Sequence, residues 1–439
     1  MANSAAEQYG IELLNRARLD PVGEARRYGV DLGEGIPAGE INARQKQVLA
    51  SNENLMTASR LHADWMLDTD RFEHTGRNGS NPDDRMKAAG FTFTGNWSWG
   101  ENLAGVAMTG GNTTAWAVAY HQRQLMQSPG HRENIMRDSF REIGYSQEVG
   151  SFKGSTYSML TENFASRGTH VFVTGVAYQD RDGDGFYSVG EGRGGVTFTQ
   201  VGLGSAETEG AGGYSLRVKE GAAVQIRIEA GRAVSEVIVD TTDRFGADPL
   251  NPHINVKLDL VDGDTVLASS NLTLVSGVDD ARLLGINPFA LTGSDDGNRL
   301  VGNSGSNRIT GEGGGDRLLG MRGRDGLWGG AGNDRLSGGE GRDRVNGGAG
   351  DDVLNGGSGG DRFVFDAGTD RIEDFSLREG DRLVLDDALW GGGLSRAEVV
   401  DRFADVVKGD VVLDFGAGNV LRIEDWSYVG KLAGAIEII

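Results

Sequence analysis

GGAGNDRLS (Gly329–Ser337), GGEGRDRVN (Gly338–Asn346) and GGAGDDVLN (Gly347–Asn355) follow one another without a gap, and they belong to a longer array. From Gly293 to Val364 an Asn or Asp recurs every nine residues, at Asn298, Asn307, Asp316, Asp325, Asp334, Asp343, Asp352 and Asp361. Two residues after each stands an apolar side chain: Leu300, Ile309, Leu318, Leu327, Leu336, Val345, Leu354 and Phe363. Glycines supply the positive φ of a tight turn, and a short strand contributes one inward apolar residue per unit. Such a unit cannot fold alone. Two units make one coil of a parallel roll, so turns two repeats apart stack and Asp316 faces Asp334, and Asp325 faces Asp343. Stacked carboxylates need a cation, and oxygen ligands in flexible geometry suit calcium, whereas zinc takes nitrogen or sulfur.

The array resembles the RTX, or hemolysin-type, calcium-binding repeat. The resemblance implies Ca²⁺ ligation by Asp316, Asp325, Asp334, Asp343, Asp352 and Asp361. The first two units depart from the pattern: Asn298 and Asn307 replace the carboxylate, and Ser294 and Asn303 replace the second glycine.

Working outward, composition sets limits. A net charge of −21 makes nucleic acid an unfavourable partner and disfavours anionic membranes. With no cysteine, neither disulfides nor thiolate metal sites contribute. No basic n-region followed by an apolar h-region opens the chain, and no apolar run has the length of a transmembrane segment. Extracellular-type calcium sites have dissociation constants around 10⁻⁴ to 10⁻³ M and would stay empty in cytosol. The RTX resemblance implies export by type I secretion machinery reading an uncleaved C-terminal signal. An extracellular, secreted or cell-surface location follows.

Residues 1–168 read as a compact α/β domain. Leu55, Ala58, Leu61, His62 and Trp65 share one helical face, which makes His62 a core histidine. Three motifs hold the polar chemistry: FEHTG around His74, WGENLAG around Glu101 and SPGHRENIM around His131. Together with LLNRAR, the Arg85–Phe91 segment and FREIGYS from Phe140, they resemble the bacterial CAP (SCP, PR-1) domain. That resemblance implies an α/β/α sandwich with a cleft where His74, Glu101 and His131 converge. The second acid that the family often carries is missing, since AYHQRQLMQSPG puts His121 and Gln122 there; Glu133 follows His131 closely but is expected to stay outside the cleft, and Ser128 belongs to a helix turn. Two imidazoles and one carboxylate could hold Zn²⁺, or Glu101 could simply bridge the two histidines.

Residues 169–260 read as short alternating strands of a small β-sandwich. Between the first two lies DRDGDGFYSVGE, which puts Asp180, Asp182, Asp184, Gly185 and Glu191 at positions 1, 3, 5, 6 and 12 of an EF-hand calcium loop. Phe186 at position 7 would ligate through its carbonyl, and Ser188 at position 9 through water. The segment resembles calcium-bearing B-type repeats of bacterial surface proteins. Residues 261–292 read as a linker, 293–364 as the roll of eight nonapeptides, and 365–439 as a β-strand cap carrying the secretion signal.

Three functions fit this multidomain α/β + β chain. One is a secreted calcium-binding protein whose CAP domain binds a lipid, small molecule or cell-envelope component. A second is a secreted, metal-dependent, peptidase-like hydrolase using His74, Glu101 and His131. The third is a structural adhesin or matrix protein with an inert cleft. No nucleophile with a plausible base stands out, which favours the first over the second.

Overall fold

The structure, a computed structural model, describes residues 3–168, 170–245 and 253–439; Thr169, where the second domain was placed to begin, lies outside them. The chain divides into two compact units, residues 1–235 with 239–263, and residues 236–238 with 264–439.

In the first unit, helix α1 (Ala5–Leu19) opens on a capping box: Ser4 Oγ accepts from Glu7 N–H and Glu7 Oε2 from Ser4 N–H. Five helices follow: α2 (Pro21–Arg27), α3 (Glu53–Thr69), α4 (Pro82–Ala88), α5 (Thr114–Gln127) and α6 (Pro129–Met136). The sheet has strands β1 (Ala50–Ser51), β2 (Trp97–Ala107), β3 (Glu142–Phe152) and β4 (Ser155–Arg167) in the order β1-β3-β4-β2, which leaves β2 on an edge. Helix α3 packs on one face so closely that a Cβ at Gly144 would collide with the Leu55 backbone. The other face buries Leu13, Leu14, Val118, Leu125 and Ile135 from α1, α5 and α6. These are the three layers of an α/β/α sandwich.

The strands that follow are β5 (Val171–Tyr178), β6 (Val196–Gln200), β7 (Gly204–Glu207), β8 (Gly213–Val218), β9 (Val224–Ala230), β10 (Ala233–Val239) and β11 (Val256–Val261). β5 pairs with β8 and β11, while β6 pairs with β7 and β9, and Phe198 stacks on Tyr214 with ring centroids 3.7 Å apart. This small sandwich joins the α/β/α layers through a buried polar seam. Lys257 Nζ donates to Glu12 Oε2 of α1 (2.5 Å) and to Asp259 Oδ1 (2.7 Å). Asn255 Nδ2 donates to Val48 O (3.0 Å) and Arg141 O (2.7 Å). Burial works against the Lys257 charge, yet the two carboxylates hold its pKa above the ordinary lysine value.

The second unit is a parallel solenoid. Each strand pairs in register with the strand two places on: Leu300 lies beside Leu318, Leu318 beside Leu336 and Leu336 beside Leu354 in one row, and Ile309, Leu327, Val345 and Phe363 follow one another in the other. All eight are buried, forming a core one apolar residue deep per strand. The segment expected as a linker is already part of the roll. Thr265–Ala268 pairs with Asp280–Leu283, and Leu272–Ser276 with Ala290–Thr292, continuing into the repeats. Its alternating apolar residues supply the inward pleat, with a single positive-φ glycine, Gly277 or Gly285, after Leu272–Ser276 and after Asp280–Leu283 in place of the glycine-rich turn. Beyond Phe363 the roll continues through Thr369–Ile372, Arg382–Leu385, Asn419–Ile423 and Ile436–Ile438. A hairpin, Ala404–Val407 with Asp410–Gly416, completes that end, and Trp390 and Phe403 pack against Phe415.

The seam gives a stability test. Lys257→Met leaves Glu12 and Asp259 buried without their cation, which should cost about 3–5 kcal/mol. A triple variant, Glu12→Leu/Lys257→Met/Asp259→Leu, should recover most of it. Urea unfolding followed by tryptophan fluorescence measures both, and a Lys257→Met midpoint equal to wild type contradicts the seam.

Candidate functional site

The glycine turns of the roll place carboxylates in two inward ladders. Asp334 Oδ1 accepts from Asp316 N–H (2.7 Å), Asp343 Oδ1 from Asp325 N–H (2.8 Å), Asp352 Oδ1 from Asp334 N–H (2.8 Å) and Asp361 Oδ1 from Asp343 N–H (2.8 Å). Asp316 and Asp325 do the same for Asn298 and Asn307 N–H. The second oxygen, Oδ2, of Asp316, Asp325, Asp334, Asp343, Asp352 and Asp361 is buried with no hydrogen-bond partner. Each of these oxygens lies where the first glycine of its own turn would carry a Cβ, as at Gly329 for Asp334 and Gly347 for Asp352. A buried carboxylate oxygen left unpaired is costly, and an oxygen-only cradle of this kind fits calcium. Burial pushes the carboxyls up, to about 6 for Asp316, Asp352 and Asp361 and about 7 for Asp325, and also raises Asp334 and Asp343.

The ladders run further than the glycine turns announce. Asp370 Oδ1 accepts from Asp352 N–H (3.2 Å) and Asp381 Oδ1 from Asp361 N–H (2.8 Å), both carboxyls being buried and pushed up, to about 8 and about 6. Asp370 keeps the nine-residue phase, with Ile372 inward two residues later, so the signal for it was present; Asp381 follows after twenty residues and breaks the period. At the other end the amide of Asn298 takes a different role. Its Nδ2 donates to Val278 O and Asp279 O (both 3.3 Å), while Oδ1 accepts from Ser294 N–H (2.8 Å). Asn307 Nδ2 likewise donates to Phe289 O (3.4 Å) and Asn303 Oδ1 (3.1 Å). These turns satisfy themselves with amide N–H groups where later turns present bare oxygens.

In the sandwich, one oxygen from each of Asp180, Asp182 and Asp184 lies within 4.8 Å of the others. The loop is wound by its own side chains: Asp180 accepts from Gly183 and Gly185 N–H, and Asp184 Oδ1 from Phe186 N–H (2.8 Å). Glu191 is not in that cluster. Its carboxylate accepts from Arg181 N–H (2.9 Å) and Ser188 N–H (2.7 Å). Phe186 turns its ring to α1, with Arg16 4.7 Å above it and Tyr9 at its edge.

The α/β/α cleft is built on the edge strand β2, where Glu101 has a side chain 1% exposed. Glu101 Oε1 meets His74 Nδ1 at 2.8 Å, and Oε2 accepts from Arg85 Nη2 at 2.5 Å. Oriented so that its oxygen accepts from Ser59, the Asn163 amide nitrogen also donates to Glu101 Oε2 (3.2 Å). Arg85 Nη1 further donates to His74 O (3.0 Å) and Ser80 O (2.9 Å), so one guanidinium of α4 holds both sides of the His74–Glu101 pair. The His74 ring is 56% exposed. His131, in the first turn of α6, is half-buried; burial, then the nearby His74, lowers its pKa, and its ring makes no hydrogen bond among the described residues. Its carbonyl is fixed by Asn102 Nδ2 (3.2 Å), itself anchored by Asn134. The structure therefore joins His74 to Glu101 directly and leaves His131 beside them.

The remaining candidates fall elsewhere. Glu133 pairs with Arg137 (2.7 Å), and Ser128 is the N-cap of α6. Buried His121 contacts Ser158 Oγ (2.9 Å). His62 stacks on Trp65 and contacts Glu73 O (3.1 Å), and burial lowers its pKa to about 4. An acid that residue spacing did not single out is Glu162 on β4, cross-strand from Asn102, whose Nδ2 donates to it (3.0 Å); full burial raises it to about 8. Zinc does not fit this donor set. Both Glu101 oxygens are already taken, and His74, Glu101 and His131 do not bring three ligand atoms within 4.8 Å, as a tetrahedral site requires.

Comparison with known proteins agrees with both halves. The model of the cysteine-rich secretory protein family (CAP) matches residues 11–164, and the RTX calcium-binding nonapeptide repeat matches 292–327, 328–363 and 337–372. None of the curated proteins compared with the chain matches it. Among solved structures, the chain is similar to an extracellular protein containing a SCP domain from Bacillus anthracis str. Ames, at 24% identity over 28% of this chain and 35% of that one, with a TM-score of 0.21. It is also similar to the AlgE6R3 subunit of the Azotobacter vinelandii mannuronan C5-epimerase, at 26% identity over 38% of this chain and 82% of that one (TM-score 0.21). A third is the extracellular lipase LipA from Serratia marcescens, at 15% identity over 38% and 41% (TM-score 0.19). The chain thus spans about a third of the first of these structures. Residues 11–164 are a CAP domain, here without a single cysteine, and residues 292–372 carry RTX repeats, which makes this a calcium-binding multidomain protein.

Proposed function

We propose that the protein is secreted, that its roll folds on calcium outside the cell, and that its CAP domain is a non-catalytic binding module for a lipid, small molecule or cell-envelope component. The observation that carries the first part is the row of buried Oδ2 atoms without partners. In low calcium the ladders repel and a core one residue deep cannot offset the ordering entropy; metal binding adds directly to folding. Export by a type I machine suits a chain that stays unfolded until it meets calcium. Among the described residues no helix is long and apolar enough to cross a membrane. The Asp180–Glu191 loop is a further calcium site in this reading, with the Phe186 carbonyl as a ligand.

Support for binding over catalysis comes from Glu101. The Glu101 carboxylate is 1% exposed and already accepts from His74, Arg85 and Asn163, so it serves as a clamp presenting the exposed His74 ring. Exposed Phe72, two residues before His74, adds apolar surface to the same loop.

Two measurements follow. The metal-free roll has raised carboxyl pKa values, so proton uptake stabilises it fully below the ordinary value of 3.8, and that contribution is lost as pH rises through about 6 to 8. In EDTA, hydrogen exchange corrected for intrinsic rate should show residues 300–372 better protected at pH 5.5 than at pH 7.5, with calcium restoring protection at pH 7.5. Full protection at pH 7.5 in EDTA contradicts calcium-dependent folding. For the cleft, Glu101→Gln and His74→Ala should lower stability by about 1–3 kcal/mol. The wild-type protein should not cleave a generic peptide library. Cleavage by wild type that Glu101→Gln abolishes, with the fold intact, overturns the binding reading.

A further inference from the structure

The strand register of the roll stacks its outward side chains as strictly as its inward ones. On one face, Asp280, Arg299, Arg317, Arg335, Val353, Arg371 and Arg422 occupy consecutive rungs of a single ladder. Rungs of a parallel sheet lie about 4.8 Å apart, and like charges directly opposite one another are destabilising. The ends of the ladder are neutralised by the protein itself. Arg299 faces Asp280, Arg371 pairs with Glu373 (3.2 Å) and Glu424 (3.4 Å), and Arg422 pairs with Asp410 (2.7 Å). The two central arginines, Arg317 and Arg335, are exposed and have no carboxylate partner among the described residues.

Both line a shallow cavity of about 450 Å³ together with Leu319, Val353, Ser337, Asn355 and Glu373, whose carboxylate is paired with Arg371 (3.2 Å). It adjoins a second of about 580 Å³ that shares Leu319 and Ser337 and extends to Arg282, so one groove crosses several strands along the roll. The groove therefore offers a central pair of guanidiniums without an ion-pair partner among the described residues, a hydroxyl and an amide beside them, and apolar Leu319 and Val353, while its two carboxylates, Glu340 and Glu373, are each held by another arginine, Arg322 (3.0 Å) and Arg371 (3.2 Å).

We propose that this groove binds an extended acidic polysaccharide, its carboxylates on Arg317 and Arg335. A guanidinium presents a planar fork matched to carboxylate, Ser337 and Asn355 can bond sugar hydroxyls, and Leu319 can take an apolar sugar face. Single-stranded nucleic acid fits less well, because no aromatic side chain lines either cavity for base stacking. The aspartates next to these arginines, Asp316 and Asp334, oppose the anion until calcium offsets them, so binding requires the calcium-loaded roll.

The test uses the full chain with calcium and a short uronic-acid oligosaccharide, such as oligogalacturonate, measured by calorimetry. Binding should weaken as salt is raised, and a neutral oligosaccharide of equal length should not bind. Arg317→Gln/Arg335→Gln should lower affinity at least tenfold, and Arg317→Lys/Arg335→Lys should lie between that and wild type. Ser337→Glu, which adds a carboxylate to the groove without touching either arginine, should weaken binding similarly. Calcium stoichiometry and hydrogen exchange of residues 300–372 should be unchanged in all three, which separates loss of the groove from loss of the fold. No binding by wild type, equal binding by the Gln pair, or equal affinity for single-stranded DNA or polyglutamate overturns the proposal.

Discussion

The roll depends on a carboxylate that is half satisfied. One oxygen of each ladder aspartate accepts the N–H of the residue one coil earlier, which fixes the strand register, and the other is buried with nothing to bond. The glycines follow from the same constraint. The first glycine of each turn leaves space for Oδ2, and the second and fourth adopt positive φ, as at Gly330 (112°) and Gly332 (129°), packing against carbonyls of the preceding coil. Glu312 and Met321 hold the second position of two turns with φ of 78° and 82°, so the geometry persists where the residue type does not favour it. A glycine-rich, strongly acidic chain is what such a ladder requires, and a cation is what completes it.

How much of this was legible depends on what the sequence period encodes. Inward Asp and inward apolar residues at fixed spacing give both strand faces and the coil, because parallel pairing repeats the same offset. The ends were less visible. Residues 265–292 have the apolar pleat but not the nine-residue glycine and aspartate period, so nothing in them marks a coil until Leu291 is seen beside Ile309. Asp381 sits twenty residues after Asp361, and only the hydrogen bond between them shows that the ladder continues.

The CAP cleft was legible differently. No spacing brings His74 to Glu101; motif resemblance did. Resemblance did not give the roles of Arg85 and Glu162, because these depend on which side chains the α4 helix and the β2–β4 register place opposite one another. Nor did it show that one lysine, Lys257, ties the sandwich to α1. A single buried charge of this kind carries no periodic signal, and one of its two partners, Glu12, lies 245 residues away.

Within the first unit, the acidic loop from Asp180 is not isolated from the cleft-bearing layers, since Phe186 rests on Tyr9 and Arg16 of the helix that also carries Glu12. The acidic loop and the CAP domain meet there through packing. The central claim, that the unpaired aspartate oxygens are calcium ligands, is tested most directly by anomalous scattering from crystals grown at saturating calcium. The account predicts ions about 2.3–2.6 Å from Oδ2 of Asp316, Asp325, Asp334, Asp343, Asp352 and Asp361, one more at Asp180, Asp182 and Asp184, and none at the Asn298 and Asn307 amides. Ladder turns holding only water at saturating calcium, or ions seated at Asn298 and Asn307, would contradict it.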